Sequence, residues 1–124
     1  MDLPVRRFAD VVVLSPIGRV DQNTAEGLKA GLAGFLARCA TGQDTIVLDL
    51  AGVDYVSSVG LRVLMLTAKQ AKAQGGTVVV AALQPVVREI FDISRFSLVF
   101  ETFGSVRDAL QRVSVAGLAA FDAA

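Results

Sequence analysis

Two adjacent hydroxyls, Ser57 and Ser58, stand in the run VDYVSSVGLRVL (residues 53–64), where an apolar, strand-like stretch gives way to helical spacing. Nucleophilic attack by either serine needs a base within hydrogen-bond reach, and the chain contains no histidine. Lys69 and Lys72 cannot substitute, because they lie about three and four turns beyond Ser58 on the same helix at ~3.6 residues per turn. No Walker-type phosphate loop, Rossmann glycine fingerprint or cluster with metal-ligand spacing occurs. Neither an enzyme nor a bound cofactor is therefore expected.

The other chemistry open to these hydroxyls is acceptance of a phosphoryl group. A helix start at the carboxyl end of a central strand offers free backbone N–H groups and the positive end of the helix dipole. A phosphate on Ser57 or Ser58 would be stabilised there, and would add about −1.5 to −2 charges, enough to repel a partner docked on an apolar helix face. Serine is also a preferred N-cap residue, so either hydroxyl can serve simply as a cap. The two roles coexist if Ser57 caps and Ser58 accepts.

The elements that position this junction must fit in one domain, given 124 residues. Twelve basic and twelve acidic residues cancel without a basic block, so nucleic acid is not an expected ligand. The opening MDLPVRRFAD lacks the regions of a signal peptide, and no apolar run reaches the ~18 residues of a membrane span. A soluble, cytoplasmic chain without direct membrane insertion is expected. Cys39 is the single cysteine, which excludes an intramolecular disulfide and a thiol-rich metal site. Its helical spacing from Leu32, Phe35 and Leu36 assigns it to the core.

Residues 3–8, with Pro4 and two arginines, suit a short edge strand. The β-branched run from Val11 suits a strand kinked at Pro16 and Gly18 and ending near Val20. Ala25, Leu28, Leu32, Phe35 and Leu36 then share one helical stripe, predicting a helix over about 24–40, with Asn23 and Glu26 as a capping box. Gly27, Gly31 and Gly34 weaken that helix and leave room for a close neighbour. Residues 45–50 and 77–83 read as strands buried on both faces. Between them, apolar spacing from Leu61 predicts a second helix, ended by Gly75 and Gly76.

Pro85 opens a short helix to about Ile93, residues 97–103 suit a last strand, and Ser105 with Asp108 signals a helix to Val113. The segment 114–124 is alanine-rich and compatible with a frayed helix, a docking segment or disorder. The expected fold is a single α/β domain over residues 1–113, with a tail at 114–124. Its order is β-β-α-β-α-β-α-β-α, giving a mixed, mostly parallel sheet flanked by about four α-helices.

Three stretches together resemble the STAS domain family, the fold of bacterial anti-sigma-factor antagonists: GRVDQNTAEGL, IVLDLAGVDYVSSVGLRVL and GGTVVVAAL. The resemblance runs from about residue 10 to residue 113. The family motif is an aspartate, the acceptor serine, a small residue and Gly-Leu. Matching Gly60 and Leu61 places Ser58 at the acceptor position, Ser57 where the aspartate normally lies, and Val59 where a second serine or threonine is common. Asp21 matches an acid near the phosphorylation loop, and a turn residue before the helix is the plain alternative for it. Asp49 and Asp54 read as strand-end and loop residues.

The resemblance implies a non-enzymatic switch in bacterial transcription regulation. Unphosphorylated, the chain would bind an anti-sigma factor with a serine-kinase fold. That kinase, holding its own ATP and magnesium, would phosphorylate Ser58 (or Ser57) and lose its grip, and a metal-dependent serine phosphatase would reset the system. The expected contact surface comprises Asp21, Asn23 and Tyr55 with the run Ser57, Ser58, Val59, Gly60, Leu61 and Arg62. A constitutive STAS scaffold, such as a subunit of a lipid-transport ATPase, is the alternative favoured by the missing loop aspartate.

Overall fold

The computed structural model describes residues 1–124. Strands β1 (Val5–Phe8), β2 (Val11–Leu14) and β3 (Gly18–Val20) precede helix α1 (Ala25–Ala37). Strands β4 (Thr45–Asp49) and β5 (Val53–Val56) lead into α2 (Ser58–Ala73), followed by β6 (Val78–Ala81) and α3 (Pro85–Ile93). A 3₁₀ turn (Phe96–Leu98), β7 (Thr102–Phe103), α4 (Val106–Val113) and α5 (Val115–Ala123) complete the chain. Five strands form one sheet in the order β1-β2-β4-β6-β7, with β1 antiparallel to β2 and the other pairs parallel. Strands β3 and β5 form a separate parallel ribbon. No helix is long and apolar enough to cross a membrane.

Alternation along the central strands divides the core, because successive side chains leave a strand on opposite faces. Val12, Leu14, Ile46, Leu48 and Val80 pack with the buried stripes of α1, α2 and α3. Val11, Val13, Val47 and Val79 pack instead with Ala109 and Leu110 of α4. Apolar faces on both sides of one sheet thus require helices on both sides. The expected edge strand is real, as β1 is an outer strand whose Arg7 forks onto Asp44 at 2.9 and 3.0 Å.

Several expectations need correction. The stretch 11–20 is two strands in two sheets rather than one kinked strand: Gly18, at φ +101°, takes the chain out of the main sheet in a conformation that favours glycine. Its amide donates to the Gly52 carbonyl at 2.8 Å, which starts the new ribbon. Residues 53–56, strand-like in sequence but given no place in the expected order of strands, form β5, so Asp54 is a strand residue and not a loop residue. Asp49 does end a strand. The last strand shrinks to Thr102–Phe103, because Phe96–Leu98 turns tightly to bury Phe96 and Phe100 against Phe91.

The α1 capping box is absent. The N-cap is Thr24, and no side chain caps the helix. That helix also stops before Cys39, which is nonetheless fully buried, its Sγ 3.3 Å from the Thr77 carbonyl and its thiol pKa pushed up by burial. Gly31 does admit a close neighbour, as a β-carbon there would lie 2.9 Å from Leu3 Cδ2.

The segment 114–124 is helix α5 after a one-residue break at Ser114. Ser114 Oγ accepts from the Gly117 amide at 2.9 Å and donates to Asp10 Oδ1 at 2.6 Å. Phe121 meets Phe8 of β1 edge-to-face at 5.2 Å, closing the α4 side of the sheet.

Candidate functional site

The serine pair sits where β5 becomes α2. Ser57 is extended (φ −80°, ψ 174°), and its Oγ accepts from the Gly60 amide at 3.2 Å. This is the N-cap geometry that satisfies one of the helix's free donors. Its own amide donates to the Val20 carbonyl at 2.8 Å, tying the helix start to β3. Ser58 is the first residue of α2, is exposed, and makes no side-chain hydrogen bond. The two hydroxyls therefore differ: one is half-buried and committed to the backbone, the other free in solvent.

The first turn of α2 contains no acidic residue. Gly60 is buried against β3, where a β-carbon would meet Val20 Cγ1 at 2.7 Å and the Val20 carbonyl oxygen at 2.9 Å. Only the absence of a side chain allows the helix to start this close to the ribbon. Leu61 is half-buried against the core, while Val59 and Arg62 are exposed. Arg62 makes no ion pair. With Val59 and Leu66, each 45% exposed, it forms one outer face of α2 at helical spacing.

Across the ribbon, Arg19 pairs with Tyr55 and Val20 with Val56. The two valines are each 2% exposed, so Arg19 and Tyr55 occupy the outer face. The Arg19 guanidinium lies 4.4 Å from the Tyr55 ring centroid, and its Nε is 3.5 Å from Asp21 Oδ2. Asp21 organises the turn into α1. Its Oδ1 accepts from the Asn23 amide at 2.9 Å, its carbonyl accepts from the Ala25 amide at 2.8 Å, and its amide donates to Thr24 Oγ1 at 3.0 Å. Thr24 Oγ1 in turn donates to the Arg19 carbonyl at 2.7 Å.

Asp21, Tyr55 and residues 57–62 are thus gathered around the meeting of ribbon and helix. Asn23 is exposed at its rim, with no side-chain hydrogen bond. Arg19 and Thr24, absent from the expected set, are bonded into the same cluster. Alternation of charge around Val20 hinted at Arg19, but its position on Tyr55 depends on a pairing between distant stretches. Asp49 lies elsewhere, holding Ser15 Oγ at 3.1 Å and Arg6 at 3.6 Å.

No three His, Cys, Asp or Glu side chains approach closely enough to hold a metal ion, and no cavity is lined by either serine. The arrangement is an open surface with one unbonded hydroxyl at the start of α2.

Comparison with known proteins agrees with this fold. A family model described as the STAS domain matches residues 2–109. BtrV of Bordetella bronchiseptica, named as a candidate anti-sigma factor antagonist, is 39% identical over 105 residues, covering 85% of this chain and 88% of that protein. The anti-sigma-F factor antagonist RsfB of Mycobacterium tuberculosis is 31% identical over 103 residues, covering 83% and 81%. A crystal structure of an anti-sigma factor antagonist from Mycobacterium paratuberculosis superposes with a TM-score of 0.79 at 26% identity, covering 90% of this chain and 92% of that one.

Proposed function

We propose that this chain, which belongs to the STAS domain family, is an anti-sigma factor antagonist that binds an anti-sigma serine kinase while Ser58 is free and releases it once Ser58 is phosphorylated. The observation that carries the choice of residue is the contrast between the serines: Ser58 is exposed and unbonded, whereas Ser57 holds the Gly60 amide. The names of the relatives BtrV and RsfB support the antagonist role.

In the forward step the Ser58 hydroxyl attacks the terminal phosphorus of ATP held by the kinase. The Oγ–P bond forms, the bond to the ADP oxygen breaks, and the hydroxyl proton passes to a base on the kinase. ATP and magnesium belong to the kinase; a separate metal-dependent serine phosphatase reverses the step by hydrolysis, water taking the phosphoryl group as inorganic phosphate and Ser58 regaining its hydroxyl. The phosphate places about −1.5 to −2 charges beside the exposed apolar Val59, where a docked surface would have to desolvate them.

The test is binding of Ser58→Ala and Ser58→Asp to the serine-kinase anti-sigma factors of the same genome, with phosphosite mapping of the parent. The alanine form should bind and resist modification, and the aspartate form should bind more weakly. Phosphate mapped to Ser57 would overturn the assignment. Equal binding of both variants without any phosphorylation would instead support the scaffold reading, which the serine at position 57 favours.

A further inference from the structure

We propose that the Arg19 guanidinium binds the phosphate carried by Ser58 as an ion pair, giving up its ion pair with Asp21 while remaining stacked on Tyr55. The proposal rests on the reading of Ser58 as phosphoacceptor and concerns what becomes of the phosphate once attached.

The ribbon geometry supplies the argument. Asp21 and Ser57 directly follow the paired residues Val20 and Val56, and the Ser57 amide is bonded to the Val20 carbonyl. Neighbouring strands run ~4.8 Å apart, so Ser57 stands about one strand spacing from Asp21, with Ser58 the next residue. Arg19 reaches forward along β3 toward this end, because its Nε approaches the Asp21 carboxylate two residues on.

That ion pair is poised to be exchanged. At 3.5 Å it is longer than the ~2.7–2.9 Å of a tight charge-assisted bond. Asp21 Oδ1 is meanwhile occupied by the Asn23 amide. The fork of Arg19 matches the geometry of a phosphate, and its stacking on Tyr55 at 4.4 Å limits the side-chain freedom it would lose on binding. A phosphate arriving beside Asp21 would be repelled by the carboxylate, and Arg19, already paired with that carboxylate, is the cation placed to screen the repulsion. The charged and titratable groups of the ribbon, the turn after β3 and the start of α2 are Arg19, Asp21, Asp54, Tyr55 and Arg62. Arg62, one turn beyond Ser58, is the competing cation, but it is exposed and held by no ring or carboxylate.

The experiment uses the full chain with phosphoserine installed at position 58 during translation, so no kinase is involved. The second pKa of the phosphate is followed by phosphorus NMR at low salt, together with the Arg19 Nε–H signal. Arg19→Gln should raise that pKa by about 0.5, roughly threefold in proton affinity, whereas Arg62→Gln should move it by less than half as much. The Arg19 Nε–H signal should shift as the phosphate titrates. An unchanged pKa in Arg19→Gln, or a larger shift in Arg62→Gln, would overturn the proposal. Failure here would leave the phosphoacceptor assignment standing, and failure of that assignment would not alter this measurement.

Discussion

Gly60 lies so close to Val20 that a β-carbon added to it would stand 2.9 Å from the Val20 carbonyl oxygen. That same oxygen accepts the Ser57 amide, so the contact fixes both the helix start and the position of β3. Gly60→Ala should cost about 1–3 kcal/mol, the usual penalty of forcing extra atoms into a packed site. Urea denaturation checks this, and a midpoint equal to the parent's would show that the ribbon yields freely.

The serines separate by stability as well as by reactivity. Ser57→Ala removes a cap bonded to Gly60 and should destabilise the fold by ~1 kcal/mol. Ser58→Ala touches no bonded group and should stay within ~0.5 kcal/mol of the parent. Thermal melts of the two variants side by side decide it, and the reverse order would mean that Ser58 is the cap.

Acid should weaken the tie between β1 and the loop before β4. The hydrogen bonds from Arg7 hold the Asp44 carboxyl below its usual range. Its folded value lies below its unfolded one, so the contribution is complete above ~4 and disappears as pH falls through the folded value. Arg7 stays charged throughout. Because the pair is partly exposed, with 47% of the Arg7 side chain open to solvent, it is screened and should contribute only ~0.2–1 kcal/mol. Asp44→Asn should therefore be less stable than the parent at pH 7, with the gap narrowing as the pH falls below the ordinary carboxylate value of ~4. A gap independent of pH would contradict the assignment.

Helix α5 should contribute to stability through Phe121. The ring is half-buried against Phe8, so Phe121→Ala should cost ~1–2 kcal/mol, below the range for a fully buried phenylalanine. An unchanged urea midpoint would mean that α5 rests on the sheet without stabilising it.

The alternation of strands and helices was legible because residues 45–50 and 77–83 are apolar at odd and even positions alike, a pattern that requires cover on both faces. The serine pair was legible for a similar local reason, since a change of hydrophobic period brackets it. Strand β5 was legible only as a strand-like approach to the serines and not as a paired strand of its own, because VDYV carries only two buried residues and is held by pairing with β3. Pro16 and Gly18 signalled a bend, but a bend within a sheet and a departure to another ribbon look alike until the partner strand is known. Arg19 was missed for the same reason: its neighbours Tyr55 and Asp21 are assembled by tertiary pairing and a turn, whose geometry periodicity does not encode.

The ribbon β3–β5 shares no ladder with the five-stranded sheet. Its outward positions 19 and 55 can consequently change without disturbing strand register in the layers beneath. The face carrying Arg19 and Tyr55 is in this sense a veneer, open to repainting while the layers underneath keep their shape.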